Sequence, residues 1–329
     1  MKILFVWTGV TSYMADCWRR LQQKPDVELK IVVERARIGR EFDENSVLRD
    51  LDRVVVEEGG AVAWEPGYCP DALYAAGWHS KVVRAAVMRK EWKAVPKILC
   101  LDMPWRLSLR CLLARFVLGP YLRRHQAAYV PGRSCERYVK WLGFKLVEKG
   151  LYGIDVDRFR PLAETDSSGG RKGFLFVGRH APEKGLDTLG AAYEIYREMG
   201  GRWDLTISGW VAPENVPGVM REHACLLVPS RWEPWGVVVA EAKACGLAVI
   251  ASDCVGARLD IPCEGVFKTG DSAALAREML AVERGERVVK PLPDGYDCAA
   301  WVERTWRLLT ESRGANWSKR IRVKTGCGK

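Results

Sequence analysis

Short runs rich in apolar residues alternate along the first half of the chain with segments whose apolar residues recur at helical spacing. The runs, which have the length and composition of buried strands, lie at residues 3–7, 27–33, 72–76, 97–101 and 127–130. Helical spacing occurs at residues 14–21 and 81–89, and a further helix is expected between Pro131-Gly132 and Leu142. Strands that alternate with helices predict a parallel sheet covered on both faces.

The alternation restarts after a polar, turn-rich stretch at residues 161–171, PLAETDSSGGR, which predicts a linker. Further strands are expected at 174–177, 205–208, 225–228 and 248–251, and helices at 186–199 and 236–245. Asp297 can cap a last helix in which positions 298, 301, 302, 305 and 309 share one face. We therefore predict an α/β protein with domains at 1–160 and 161–296, a helix at 297–312 and a basic tail at 313–329.

Composition is that of an ordinary globular protein, because 48% of the 329 residues are hydrophobic and 28% are charged. No apolar run reaches the ~18–20 residues that span a bilayer, and the N-terminal MKILFVW is too short for the core of a signal peptide. The 11 cysteines are odd in number and lack C-x-x-C spacing, which argues against a disulfide framework or a metal cluster. We expect a soluble, cytoplasmic protein with buried thiols.

Positive charge is concentrated in the first half of the chain. Residues 81–145 carry 15 basic and 3 acidic side chains, whereas the net charge of the whole sequence is +10. This asymmetry suggests an anionic partner, whether lipid, acceptor or nucleic acid; a solvated basic face without a partner is the alternative. Nucleic acid is disfavoured, because no reader motif or platform of interleaved aromatic and basic residues is present.

A basic amphipathic helix is predicted within residues 106–124, RLSLRCLLARFVLGPYLRR. Its apolar stripe consists of positions 109, 112, 113, 116 and 117, and arginine stands at 106, 110, 115, 123 and 124. Such a helix can lie on an anionic membrane surface. Alternatively, it can pack its stripe on the sheet and present a basic outer face. Pro120 limits its length.

Two loops that each join a strand to a helix carry the chemistry. The first, PSRWEPWG at residues 229–236, continues into a helix that contains Glu241. Gly236 would let a ligand approach the backbone closely, and the N–H groups near Val237 and Val238 would suit a phosphate. Glu241, one turn further on, would then face sugar hydroxyls. The alternative is an amphipathic helix on which Glu241 is merely solvated.

The second loop, VGRHAPEKGLD at residues 177–187, places Arg179 and Lys184 between a strand and a helix. An arginine fork and a lysine point charge could both bind a diphosphate. Taken alone, such a pair is more commonly solvated.

Together the two loops resemble the C-terminal domain of the family 4 glycosyltransferases, which are retaining enzymes with the GT-B fold of two facing Rossmann-like domains. The family pattern is G-R, then E-K-G-x-D, then P-S-x-x-E-P-x-G with a second glutamate after seven residues. It stands here at residues 178–179, 183–187 and 229–241. Residues 248–256 and 153–159 also resemble family segments. The resemblance is close over roughly residues 150–260 and loose before them.

The resemblance implies roles for individual residues. Arg179 and Lys184 would hold the donor diphosphate and stabilise the leaving group, and Glu233 would contact the donor sugar. Glu241 would bind the nucleotide ribose. The donor would be a nucleotide diphosphate sugar, with neither a metal nor a further cofactor.

Backbone contacts and the last helix complete the implied arrangement. Gly236 and Val237 would contact the phosphates or the sugar through their backbone, and Gly9 would close on the diphosphate from the N-terminal domain. The helix at 297–312 would cross back to that domain, which would select the acceptor. The sequence does not identify the acceptor, and an anionic or lipid-linked one is an option.

Three features depart from the family pattern. Residues 205–230 lack most of an extra helix and strand that help to bind the base. The histidine expected near the transferred sugar is replaced by Ala76 or Gly77, which leaves His79 or Asp102 as acceptor-side candidates; both could instead be structural. The D-x-D spacing of Asp155 and Asp157 lies in a segment resembling the family's interdomain linker and is interpreted as structural.

The sequence therefore predicts a retaining glycosyltransferase. Alternatives on the same architecture are a nucleotide-sugar epimerase, a phosphorylase, and a nucleotide-sugar-binding or scaffold protein that has lost catalysis. The charge pattern adds peripheral contact with the inner membrane face as a hypothesis.

Overall fold

The computed structural model describes residues 1–35, 47–161 and 171–313. Within this part the chain forms two compact units. The first contains residues 1–131, 135–153 and those from 297 onward, and the second contains 132–134 and 154–296. Most of the predicted linker, at 162–170, and the basic tail beyond Arg313 lie outside the described residues.

The first unit is built on a parallel sheet. Its strands are β1 (Lys2–Thr8), β2 (Glu28–Glu34), β3 (Arg53–Val56), β4 (Ala72–Ala76), β5 (Lys97–Cys100), β6 (Ala127–Val130) and β7 (Val147–Lys149). The described residues pair in the order β3-β2-β1-β4-β5-β6-β7. The five predicted strands are confirmed, and they are apolar because both faces of the sheet are covered. The edge strands β3 and β7 were not predicted.

Helices cover this sheet. They are α1 (Ser12–Gln22), α2 (Lys81–Met88), α3 (Leu109–Val117), α4 (Gly119–Leu122) and α5 (Arg133–Trp141). Serine caps start two of them: Ser80 Oγ accepts a hydrogen bond from Val83 N at 3.0 Å, and Ser108 Oγ accepts one from Cys111 N at 3.3 Å. Helix α1 buries five side chains, among them Trp18 and Leu21, against the sheet.

The second unit repeats the plan on a smaller scale. Its strands are β8 (Phe174–Val177), β9 (Leu205–Ser208), β10 (Cys225–Val228), β11 (Ala248–Ser252) and β12 (Gly265–Phe267), and its helices are α6 (Val156–Phe159), α7 (Leu186–Glu198), α8 (Val216–Arg221), α9 (Val237–Ala244) and α10 (Ser272–Glu283). The described strands pair in parallel in the order β12-β11-β10-β8-β9. The four predicted strands and both predicted helices are confirmed, whereas β12, α8 and α10 were not predicted.

The last helix, α11 (Cys298–Ser312), returns to the first unit. Asp297 caps it as predicted, because its Oδ1 accepts a hydrogen bond from Ala300 N at 2.8 Å. The indole of Trp301 is fully buried and donates to Leu151 O at 2.7 Å, and Tyr74 Oη donates to Thr305 O at 2.7 Å. The helix is thus part of the core of the first unit.

The predicted basic helix is split in two. Helix α3 ends at Val117, and α4 begins at Gly119 with Pro120 in its first turn. The predicted apolar stripe faces outward: Leu109, Leu113, Phe116 and Val117 are exposed, whereas Cys111 and Ala114 are buried. The alternative in which the stripe packs on the sheet is therefore wrong, because only the small side chains of the opposite face fit there.

Two further predictions concern cysteines and membrane spans. The described cysteines are all free thiols, and six of them are buried: Cys17, Cys100, Cys111, Cys135, Cys225 and Cys245. Over the described ranges, none of the helices has both the length and the apolar character that crossing a bilayer requires.

Candidate functional site

The two loops that carry the sequence motifs lie at the same edge of the second sheet. The loop at 178–185 follows β8 and the loop at 229–236 follows β10, and these strands pair in parallel with Cys225 opposite Phe174. Since the carboxyl ends of parallel strands share one edge, the loops are neighbours. Fold topology therefore brings together residues about 50 positions apart.

Gly185 lets the backbones of the two loops lie in direct contact. The first loop forms a 3₁₀ turn at Pro182–Lys184 and enters α7 through Gly185, whose φ is 70°. A Cβ at this position would lie 2.2 Å from Pro229 O. Glycine is required here on both counts, because an L side chain avoids this dihedral and no space remains for it.

Arg231 ties the loops together. Its backbone N–H donates to Glu183 O at 2.8 Å, and its guanidinium binds both carboxylate oxygens of Asp187, at 2.7 and 2.5 Å. This bidentate contact lowers the pKa of Asp187 to about 2. Both side chains are solvent-exposed, so the pair contributes mainly to loop geometry. Sequence reasoning assigned no part to Arg231, although it stands within the motif.

Lys184 and Glu233, both predicted to be catalytic, form an ion pair. Lys184 Nζ lies 2.5 Å from Glu233 Oε2, and the two side chains are 21% and 15% exposed. Ser230 Oγ donates to the same Oε2 at 3.4 Å. The lysine thus fixes the carboxylate while remaining accessible to solvent, and an incoming anion could take up part of its charge.

Arg179 contributes a second cation to the first loop. Its Nη2 lies 3.2 Å from Glu183 Oε1, and both side chains are exposed. A pair so open to water is weakly held. The guanidinium can therefore turn toward an anionic ligand at little energetic cost.

The N-terminus of α9 completes the candidate site. Gly236 precedes it with a φ of 96°, and a Cβ there would lie 3.0 Å from Glu233 Cγ. The first turn contains no acidic residue, and Val237 and Val238 are half-buried. Their N–H groups stand at the positive end of the helix dipole, which suits a phosphate. Glu241 is half-buried in the next turn.

The segment after β11 supports the Glu233 loop from beneath. Glu233 pairs with Val255 in an isolated parallel bridge, and Gly256 N donates to Glu233 O at 3.1 Å. A Cβ at Gly256 would lie 2.0 Å from Pro234 O. The backbone of Glu233 is therefore held by two consecutive residues of this segment. The motif at 248–256, noted on resemblance alone, has this physical role.

Helix α9 is also anchored at its C-terminal end. Lys243 Nζ contacts both carboxylate oxygens of Glu264, at 2.8 and 3.0 Å, with the two side chains 0% and 1% exposed. Val249 N and Lys290 N also donate to this carboxylate, at 2.8 and 2.9 Å. Each buried charge thus has hydrogen-bond partners, and no sequence motif predicted this pair.

The remaining predicted site residues belong to the first unit. Gly9, His79 and Asp102 follow β1, β4 and β5, which are adjacent in the sheet, so they share its carboxyl edge. Gly9 has a φ of 65°, and its N–H donates to Glu34 O at 2.9 Å.

The two acceptor-side candidates have different surroundings. His79 is exposed, and desolvation, with a smaller effect from the charge of Arg110, lowers its pKa. Asp102 Oδ2 accepts a hydrogen bond from the buried Tyr152 Oη at 2.8 Å. Asp102 is thus oriented by a hydrogen bond, whereas His79 lies at the sheet edge with its ring only partly in contact with water.

The D-x-D pair has a local structural role, as interpreted. Asp155 caps α6 by accepting a hydrogen bond from Arg158 N at 3.3 Å. Asp157 pairs with Arg160 at 2.6 Å. The expected shortening before β10 is also present, since α8 is the one element described between β9 and β10.

Comparison with known proteins gives information on one segment of the chain and on its fold. Residues 204–292, which include the Glu233 loop and α9, match the family model of glycosyl transferases group 1. An uncharacterized 41.2 kDa protein in the cps region of Klebsiella pneumoniae is 27% identical over 116 residues. Mannosylfructose-phosphate synthase of Agrobacterium fabrum is 29% identical over 111 residues. These matches span 30% and 34% of this chain, and 32% and 24% of the relatives' own lengths.

Solved structures match over nearly the whole chain. The apo form of the lipopolysaccharide outer core galactosyltransferase WaaB has a TM-score of 0.66 at 13% identity, covering 94% of this chain and 99% of its own. Anabaena Alr3699/HepE in complex with UDP and glucose has a TM-score of 0.61 at 15% identity, covering 98% and 100%. The chain therefore has the predicted GT-B fold, and residues 204–292 of its second unit are similar to the glycosyl transferases group 1 family.

Proposed function

We propose that this protein is a glycosyltransferase that transfers a sugar, with retention of anomeric configuration, from a nucleotide diphosphate sugar to an acceptor hydroxyl. The observation that carries the proposal is the Lys184–Glu233 ion pair, held beside the N-terminus of α9. Cations, a carboxylate and free backbone donors meet there at one sheet edge. A UDP and glucose complex of the HepE structure supports a nucleotide-sugar donor.

The donor diphosphate would bind at the start of α9, against the backbone of Gly236 and Val237. Lys184 and Arg179 would stabilise the nucleoside diphosphate as the bond from its oxygen to the anomeric carbon breaks. Glu233 would bind the sugar hydroxyls, and its bond to Lys184 limits repulsion from the phosphates. Glu241 would bind the ribose.

The acceptor hydroxyl would form the new bond on the face that the diphosphate leaves, and its proton would pass to a base. Asp102 and His79 of the first unit are the candidates for that base. Protein cations would take the part of a metal ion in this scheme, so activity should survive a chelator.

The leaving-group role is tested with Lys184→Ala and Arg179→Ala. Each should lower kcat about 100-fold or more, the loss typical when one group that stabilises transition-state charge is removed. Steady-state kinetics with a nucleotide sugar would measure this, alongside unfolding curves. Arg287→Ala, which removes an exposed partner of Glu278 in the same unit, is the matched control. Full activity in both test variants would disprove the mechanism.

Donor binding is tested by thermal shift with a panel of nucleoside diphosphates and their sugars. A ligand at 100 times its Kd stabilises the folded state by about 2.7 kcal/mol. Glu241→Ala should abolish the shift with the preferred nucleotide. A shift with no nucleotide would favour the scaffold alternative. Conversion of the nucleotide sugar in the absence of any acceptor would favour an epimerase. The anomeric configuration of the product, measured by NMR, would test retention.

A further inference from the structure

The outer face of α3 and the segment before it carry large apolar side chains that no other described part of the chain covers. Leu107, Leu109, Leu113, Phe116 and Val117 are between 53% and 86% exposed. At 3.6 residues per turn, the last four share one face of the helix. Isolated exposed leucines are ordinary, but a contiguous cluster marks an interaction surface. We call these five residues the α3 apolar face.

Arginines border this face on both sides. Around the axis of α3, Arg110 lies on one side, between the α3 apolar face and the buried Ala114. Arg115 lies on the other side, between the α3 apolar face and the buried Cys111. Arg106 immediately precedes it. Between Asp102 and Glu136 the sequence has six arginines and no acidic residue. All charged side chains of this stretch of sequence are therefore cationic.

Two tryptophans extend the surface. Trp105 and Trp141 meet edge to face at 5.4 Å, and the guanidinium groups of Arg137 and Arg115 lie over them at 5.8 and 5.9 Å. Trp141 is partly exposed. Tryptophan stacked with arginine is well suited to the polar–apolar boundary of a bilayer.

Helix α4, which directly follows α3, is fixed to the carboxyl edge of the first sheet. Tyr121 on α4 donates a hydrogen bond from its Oη to Gly77 O, at 2.5 Å, just beyond β4. Cys111 and Ala114 pack into the core of the first unit. Helix α3 is thus held on the folded first unit through its small residues, and the α3 apolar face is exposed on the opposite side of the helix.

We infer that the α3 apolar face docks on the surface of an anionic lipid bilayer, with its leucines and phenylalanine in the acyl boundary and its arginines on the headgroups. An apolar face flanked by cations is the pattern of interfacial helices. A second copy of this chain would fit poorly, because a symmetric pairing of this face would bring the arginines of both copies together, and the stretch between Asp102 and Glu136 offers no acidic residue to pair with them. This inference does not depend on the proposed function.

The test is flotation of the full-length protein with phosphatidylglycerol-containing vesicles and with phosphatidylcholine vesicles, at low salt. The protein should float with the anionic vesicles only. Leu109→Ser/Phe116→Ser should lower the partition coefficient by more than about tenfold, since apolar burial is lost. Arg106→Gln/Arg110→Gln should lower it by about fivefold per charge, and added salt should mimic this loss.

Matched controls remove equivalent groups from the second unit. Val288→Ser/Val289→Ser replaces two exposed apolar residues, and Arg197→Gln/Arg287→Gln replaces two cations; both should float like the unmodified protein. Absence of flotation with anionic vesicles would overturn the inference. So would equal losses in test and control variants. A dimer in sedimentation that Leu109→Ser/Phe116→Ser abolishes, without vesicle binding, would assign the face to self-association instead.

Discussion

At the scale of single residues, the candidate site depends on positions where a side chain cannot be accommodated. Gly185 combines a left-handed backbone with direct contact to Pro229 O, and Gly256 is packed against Pro234 O. Gly185 lets the Lys184 and Glu233 loops approach closely enough for the ion pair to form, and Gly256 lets the segment after β11 pack against the Glu233 loop. The charged side chains would carry out the chemistry, but contact between the loop backbones determines the distance between Lys184 and Glu233.

Gly185→Ala is therefore expected to reduce activity at least tenfold and to destabilise the fold by about 1–3 kcal/mol, because the new Cβ adds strain to an unfavourable dihedral. Urea unfolding and kinetics would measure the two effects. Gly190→Ala, in the middle of α7 with open space around its Cβ position, should instead be neutral or stabilise the protein by up to about 1 kcal/mol. Equal stability of the two variants would contradict this account.

At the scale of elements, α9 is held at both ends. Its first turn adjoins the Glu233 loop through Gly236, and Lys243 in its last turn binds the buried Glu264. Such a pair balances a large desolvation cost against strong local attraction. Its contribution here is positional, because it fixes the helix whose N-terminus is proposed to bind phosphate.

Lys243→Met should lower the free energy of unfolding by about 3–5 kcal/mol, because it leaves the Glu264 carboxylate buried without a counter-charge. The double variant Lys243→Met/Glu264→Gln should recover part of the loss, because it removes the uncompensated charge. Recovery is partial because Val249 N and Lys290 N bond to different carboxylate oxygens, and the single amide oxygen can accept from only one of them. Denaturant titration of the single and double variants forms the test. A double variant as unstable as Lys243→Met would show that the charge is not the cause.

At the scale of the whole molecule, the chain leaves the first unit, builds the second and returns through α11. Trp301 lies on the returning helix within a cluster of buried aromatic rings, with Phe5 at 6.0 Å. The first unit therefore depends on residues that follow the second in sequence. The core of the first unit is thus completed by α11, which ends at Ser312.

Trp301→Ala should destabilise the protein by about 3–5 kcal/mol, the usual cost of removing a large buried aromatic side chain. Trp306→Ala on the same helix, where the ring is half-buried beside Lys24, should cost clearly less. Thermal and urea unfolding of both variants would make the comparison. A Trp301→Ala loss no larger than that of Trp306→Ala would show that α11 does not belong to this core.

The sequence by itself determined the central strands, most helices, the cap at Asp297 and the two motif loops. These features are local, since a buried strand needs an apolar run and a helix start needs its capping oxygen within three residues. The strands missed, β3, β7 and β12, are sheet edges. An edge strand is short and covered less completely, so its apolar signal is weak.

Tertiary structure alone decided which groups meet and which faces are covered. Lys184 and Glu233 are 49 residues apart, and Arg231 and Asp187 are 44 apart; their pairing follows from the adjacency of β8 and β10. Periodicity located the apolar stripe of α3, but it could not tell that the small residues opposite face the core. Contact between distant segments depends on strand order and packing volume, which no local pattern records.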